Sequence, residues 1–317
     1  MRKILLVSIL FSTLYLKAQN DTVDINKINF TGDFRFRIEH DWNSRNSNGE
    51  LRNDRSRLRY RFRFGLAYQL DNYSSFGGRM RSGNLNDQQG PHVTIGDNTG
   101  EFSLISVGLE KLFYKFQNKK IAAWVGKNSF SVFKLNEVFW NDNVFPEGIA
   151  FTYFPSVIKN EDLFRLSIHL GHFIIKSNNA TFKEDSYLQF IQFNFSILNE
   201  RIKFFPGFYH FKNIANYPDG FGTFNLDYSI FHLGSQISIN KDSDFKIGLE
   251  LYKNFQDYSQ NDSIPSSLRD QGLGFVISAQ YGRNKEKGDV LFYLAYANIQ
   301  KFSIVDYFAQ NNNLFHQ

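Results

Sequence analysis

The sequence predicts an all-β fold, a transmembrane, antiparallel, up-and-down β-barrel. Three observations carry this. Apolar and polar residues alternate with a period of two along most of the chain, as on strands with two unlike faces. Long and short connections between these runs also alternate. The composition is rich in aromatics yet hydrophilic on average, with 36 Phe, 16 Tyr and 3 Trp in 317 residues and a mean hydropathy of −0.38. A barrel that turns every second residue to lipid and the others to water averages out in this way. No run of 18 apolar residues offers a helical span. The absence of Cys excludes disulfides, thiolate metal sites, a cysteine nucleophile and an N-terminal lipidated Cys.

Residues Met1 to Ala18 read as a secretory signal, and residues 19–317 as the barrel. Arg2 and Lys3 precede an apolar stretch from Ile4 to Leu16, and Leu16-Lys17-Ala18 suits cleavage. Arg2, Lys3 and Lys17 supply three of the five net positive charges. The sequence pI of 9.1 therefore gives no reason to expect a nucleic-acid partner.

The clearest strand is RLRYRFRFGLAYQL, residues 57–70. One face carries Leu58, Tyr60, Phe62, Phe64, Leu66, Tyr68 and Leu70, and the other Arg57, Arg59, Arg61, Arg63, Gly65, Ala67 and Gln69. Residues 30–39 set Phe30, Phe34, Phe36 and Ile38 against Asp33, Arg35, Arg37 and Glu39. The split is less clean over 187–197, where Leu188 and Phe190 share a face with Gln192, Asn194 and Ser196. In all, strands are expected at 28–40, 56–70, 73–83, 101–116, 120–127, 148–155, 163–176, 186–198, 201–212, 225–239, 244–255, 271–282 and 288–300.

Long connections fall at 41–55, 84–100, 128–147, 177–185, 213–224 and 256–270, with short ones between them. That asymmetry is the layout of an outer-membrane barrel, with the N-terminus and tight turns on the periplasmic side. An Arg facing mid-membrane lipid costs roughly 2–4 kcal/mol, so the arginine face must point inward. Aromatics near strand ends, Tyr68, Tyr73, Trp124, Tyr153, Tyr228, Tyr252 and Tyr281, are candidates for interface girdles.

The inward faces of the first three strands then bring together Arg35, Arg37, Arg57, Arg59, Arg61, Arg63, Arg79 and Arg81 as pore-lining candidates. Two readings stay open. Either the arginines leave net positive charge in the lumen, or Asp33, Glu39 and Asp54 bind them into a lattice that stiffens the wall. The connection 128–147, NSFSVFKLNEVFWNDNVFPE, is too apolar to be freely solvated. Folded into the lumen, it would be a constriction loop with Glu137, Asp142 and Glu147 facing the arginines.

GDFRFR (32–37), DRSRLRYRFRFGL (54–66), RMRSGN (79–84) and PEG (146–148) resemble the porin family of Bacteroidetes-type outer membranes. More distantly they are similar to alginate-export and phosphate-selective porins. The resemblance is strongest over 28–155 and implies a barrel of about 14–16 strands, with up to 18 in the wider family. Thirteen strands are counted here, and single-chain barrels of this type have even numbers. Either the count misses a strand or the chain lacks a closing one; truncation is the favoured reading, with an open or strained seam between the first and last strands.

Nothing in the sequence supports catalysis. His169 and His172 stand three apart on a strand and so on opposite faces, and neither a HExxH nor a GxSxG motif is present. No cofactor and no metal are expected. The expected function is passive diffusion of small hydrophilic solutes across the bacterial outer membrane, with anions preferred. The expected partners are membrane lipid and small anionic or polar solutes, with a homotrimer by analogy alone. Alternatives are a substrate-specific channel or receptor for an acidic glycan, and a soluble periplasmic sandwich.

Overall fold

The computed structural model describes residues 27–44, 50–96, 104–155, 164–178, 181–215, 224–239, 244–284 and 286–309. The predicted signal segment and the connections 156–162 and 240–243 lie outside the described residues.

Among the described residues, the strands form one antiparallel sheet of fourteen. The strands are β1 (Ile28–Asp41), β2 (Arg55–Gln69), β3 (Ser74–Ser82), β4 (Val93–Thr94), β5 (Val107–Gln117), β6 (Ile121–Lys127) and β7 (Glu147–Tyr153). They continue with β8 (Phe164–Lys176), β9 (Ser186–Ile197), β10 (Ile202–Ala215), β11 (Asn225–Ser238), β12 (Lys246–Asn254), β13 (Leu273–Gly282) and β14 (Leu291–Ile299). Twelve match the expected strands to within three residues, and the strand expected at 101–116 is β5, which begins only at Val107. The two-residue β4 is new, and it pairs with Arg59 and Tyr60 of β2.

Each long strand pairs with its sequence neighbours, so the sheet runs in chain order from β1 to β14. No helix among the described residues is long and apolar enough to cross a membrane. Among the described residues β1 and β14 do not pair with each other, which matches the seam expected from the odd count.

Pairing preserves the faces read from the sequence. Phe30 lies opposite Leu66, Phe34 opposite Phe62 and Ile38 opposite Leu58, while Arg35 faces Arg61 and Arg37 faces Arg59. The apolar rows are exposed, and Phe34 retains 69% of its surface. Bilayer hydrocarbon is the medium that suits such a surface. Gly126 and Gly148 sit directly opposite each other on β6 and β7, both with positive φ. A Cβ at Gly148 would overlap the His172 carbonyl oxygen, which explains the glycine of the PEG sequence.

The inner face divides in two. On β8 to β13 it is buried and largely aromatic, with Phe173, Leu188, Phe205, Tyr209, Phe211 and Tyr252 almost without exposure. Water does not cover these residues; two inward segments do, the connection 128–146 and residues 301–309. This explains the blurred alternation of β9, where both faces meet apolar surroundings. It also corrects the girdle expectation. Trp124, Tyr228 and Tyr252 belong to this internal core, whereas Tyr73, Tyr153 and Tyr281 remain exposed.

Candidate functional site

The second half of the inner face is basic. In-register pairing of β1, β2 and β3 aligns their odd-numbered side chains, so nine arginines share one wall: 35, 37, 55, 57, 59, 61, 63, 79 and 81. Arg55 was not among the sequence candidates, yet it continues the same row. Along β2 exposure falls from the long-loop end inward. The Arg55 side chain keeps 37% of its surface at the long-loop end, Arg59 18% and Arg63 10%.

Four carboxylates on the same faces partner these arginines. Asp41 accepts from Arg55 at 2.7 Å and from Arg57 at 2.9 Å. Glu39 pairs with Arg37, Arg57 and Arg59. Asp33 pairs with Arg61 at 2.5 Å. Asp54, expected in this lattice, instead accepts a hydrogen bond from the Asn43 backbone N–H at 3.0 Å.

The fourth carboxylate, Glu110, is buried and had no sequence assignment. A β-bulge in β5 opposite Arg79 and Met80 breaks the alternation, so the successive residues Glu110 and Lys111 both reach the basic wall. Glu110 then takes Arg63 at 2.6 Å and Arg79 at 2.7 Å, with Arg81 at 4.0 Å. Two adjacent charged residues inside an alternating strand were the available signal.

The wall also organises the connection after β3. Arg81 donates to the carbonyls of Ser82, Asn84, Asp87 and Gly90, so its guanidinium holds a loop and is closed to solute. His92 lies close by, and its carbonyl accepts from Arg59 at 3.2 Å. Burial, together with the nearby Arg37, Arg59, Arg61 and Arg35, pushes the His92 imidazole down to about 4.

The connection 128–146 packs on the inner face of the aromatic half. Phe130 meets Trp140 and Phe190, with ring centres 4.4 and 5.0 Å apart, and Phe139 meets Tyr209 at 4.7 Å. Its backbone is clasped by two wall residues. Gln192 accepts from Phe133 N–H and donates to Phe133 O, both at 2.8 Å. Glu250 accepts from Leu135 N–H at 3.3 Å and from the Asn136 amide.

The acids expected on this connection are placed differently. Glu147 is the first residue of β7 and shares the outward parity of the exposed Ile149. It pairs with Lys127 at 2.5 Å, away from the arginines. Asp142 pairs with Lys134 at 2.6 Å, and Glu137 accepts from the Asp142 N–H at 3.1 Å. The groups that do meet the basic wall are neutral. Asn143 Oδ1 accepts from Arg63 at 2.8 Å, and the Phe145 ring lies 5.1 Å from the Arg79 guanidinium and 4.7 Å from Lys111 Nζ. An aromatic face attracts a cation without cancelling its charge.

Residues 301–309, unassigned from sequence, complete the plug. Phe308 stacks on Trp140 at 5.0 Å, and its carbonyl accepts from Asn141 N–H at 2.7 Å. Gln89, in the connection after β3, ties these two inward segments together. It donates to Tyr307 O at 2.5 Å and accepts from Asn141 at 3.1 Å.

His169 faces inward to Ser167 and Thr152, while His172 faces outward to Gln189. Among the described residues no three His, Asp or Glu side chains gather in a way that could hold a metal.

A membrane-facing apolar exterior around a charged interior defines an outer-membrane β-barrel channel. The chain belongs to the family described as "Putative porin", whose model matches residues 15–229. Among solved structures, a double mutant of the Rh. blastica porin matches with a TM-score of 0.51 and 14% identity. The match covers 86% of this chain and 85% of that one. Salmonella typhi OmpF in complex with daunomycin matches at a TM-score of 0.48 and 9% identity, over 89% and 93% of the two chains. A search of curated proteins finds no match.

Proposed function

We propose that this outer-membrane porin passes small hydrophilic solutes by passive diffusion and prefers anions. The observation that carries this is the imbalance on the basic wall: nine arginines against four carboxylates, all on inward faces of β1, β2, β3 and β5. Arginine stays protonated at any physiological pH. The excess positive charge attracts anions across a narrow lumen, where low-dielectric walls focus the field. Arg35, Arg37, Arg57 and Arg59, at the more exposed end, act first on an entering solute. Diffusion through such a passage needs no cofactor and no energy input.

The test is a planar-bilayer reversal potential under a salt gradient. It should indicate anion preference in the parent channel and a clear loss when Arg35, Arg37, Arg57 and Arg59 are all replaced by Gln. Cation preference in the parent would overturn the reading.

A second reading, a saturable channel for an acidic glycan, draws on one observation. The guanidiniums of Arg37, Arg57 and Arg59 stand in neighbouring rows of β1 and β2, and their side chains keep 36%, 23% and 18% of their surface. Such donors in a row suit a chain of carboxylates. Saturable block of the current by an acidic oligosaccharide separates this reading from general diffusion.

A further inference from the structure

The outer surface is not uniformly convex. Between β11 and β14, at their long-loop end, two cavities adjoin. The lower one, about 490 Å³, is apolar and lined by Phe231, Leu233, Leu251, Leu273 and Phe275. Its size falls within the range of ligand pockets, roughly 300–1,000 Å³. The upper one, about 280 Å³, is polar and includes Arg269, Asp270, Asp257 and the backbone of Gly272. Lys253 lines both.

Register explains the arrangement. Phe231, Lys253 and Leu273 are direct cross-strand partners, and Leu233, Leu251 and Phe275 form the next row. Asn298 continues that second row on β14 with a short polar side chain where its neighbours are bulky, which leaves a depression in the lipid-facing wall.

Lys253 is the next-to-last residue of β12, on the outward parity with exposed Leu251. A cation on the lipid face is tolerated only near the interface, where its cost falls to about 0–1 kcal/mol. Its stem lies along the apolar rows while the ammonium reaches up beside Gly272, into the polar cavity. Lys253 makes no ion pair among the described residues. Arg269 does not compete for an incoming anion, because it is spent on the carbonyls of Ile264 and Ser259 and on Asp262.

We propose that this paired cavity is a lipid site. It takes an acyl chain in the lower groove and a phosphorylated headgroup at Lys253, with Asp270 placed to accept hydrogen bonds from the headgroup's hydroxyl groups. The occupant is a membrane lipid because the groove opens on the hydrocarbon-facing wall and its polar end coincides with the strand ends.

Native mass spectrometry of the full chain, released from detergent, tests this with a single-chain phosphatidylglycerol as the probe. The parent should retain a bound lipid. Lys253→Gln should weaken its affinity about tenfold, the loss expected for one charge-assisted hydrogen bond, and Leu251→Trp, which fills the groove, should abolish retention. Heat-modifiable gel mobility checks that each variant is folded. Undiminished retention in either folded variant overturns the site. Bilayer selectivity, read separately, is independent of this outcome.

Discussion

Glu110 shows how much one side chain decides. It is almost fully buried among Arg63, Arg79 and Arg81. Removing one partner of a buried ion pair leaves uncompensated charge and costs about 3 kcal/mol or more. Glu110→Gln should therefore lower the unfolding midpoint in urea, read by loss of heat-modifiable mobility. The same variant should shift the reversal potential further toward anions, since a negative charge leaves the wall. His92 gives a pH prediction. Its folded value of about 4 lies below the ordinary 6.5, so between these values the unfolded chain takes the proton and the folded chain does not. The His92 contribution is intact above about pH 6.5 and is lost as pH falls toward 4. His92→Gln should give a shallower decline in stability over that window, measured as unfolding midpoint against pH.

At the scale of elements, the connection 128–146 is held by aromatic packing and by two side chains clasping its backbone. Gln192 and Glu250 accept or donate at Phe133, Leu135 and Asn136. Bonds of this kind contribute about 0.5–1.5 kcal/mol each when neutral and about 1.5–3 when charged. The double variant Gln192→Ala, Glu250→Ala should loosen the connection, and single-channel recordings should show larger, noisier current steps. An unchanged trace would mean that the aromatic contacts alone hold it. Truncating one of those, Phe139→Ala, should cost about 3–5 kcal/mol of stability, because Phe139 fills the space against Tyr209 and Tyr252.

For the whole molecule, the relevant contrast is between a basic half-wall and an aromatic half that is covered from inside. The plug reaches the basic wall through Asn143 and Phe145, neither of which carries charge. The field at that contact is therefore set by the arginines, Lys111 and Glu110. Screening offers a check on the whole arrangement. The Debye length shrinks from about 10 Å at 0.1 M salt to about 3 Å at 1 M. Anion preference should be strong in dilute salt and weak at 1 M, measured as the permeability ratio at a fixed gradient.

Alternation along the chain determined by itself the long strands and, away from the bulge in β5, which side of the wall their side chains take. A period of two leaves no other way to keep arginine from lipid and phenylalanine from water, so Arg57 to Arg63 and Leu58 to Phe64 were legible without coordinates. It could not say what stands across the lumen from a given face. Trp124, Tyr228 and Tyr252 read as interface aromatics until residues 301–309 and the connection 128–146 were seen to cover that side. Glu137, Asp142 and Glu147 read as partners of the arginines because they are acidic and the apolar connection that carries them was expected to fold into the lumen. Only the tertiary structure placed Glu147 outside, paired Asp142 with Lys134, and used a bulge to turn Glu110 inward. The physical reason is that a strand's pleat is a local property of backbone geometry, whereas the partner of a buried charge depends on segments tens of residues away.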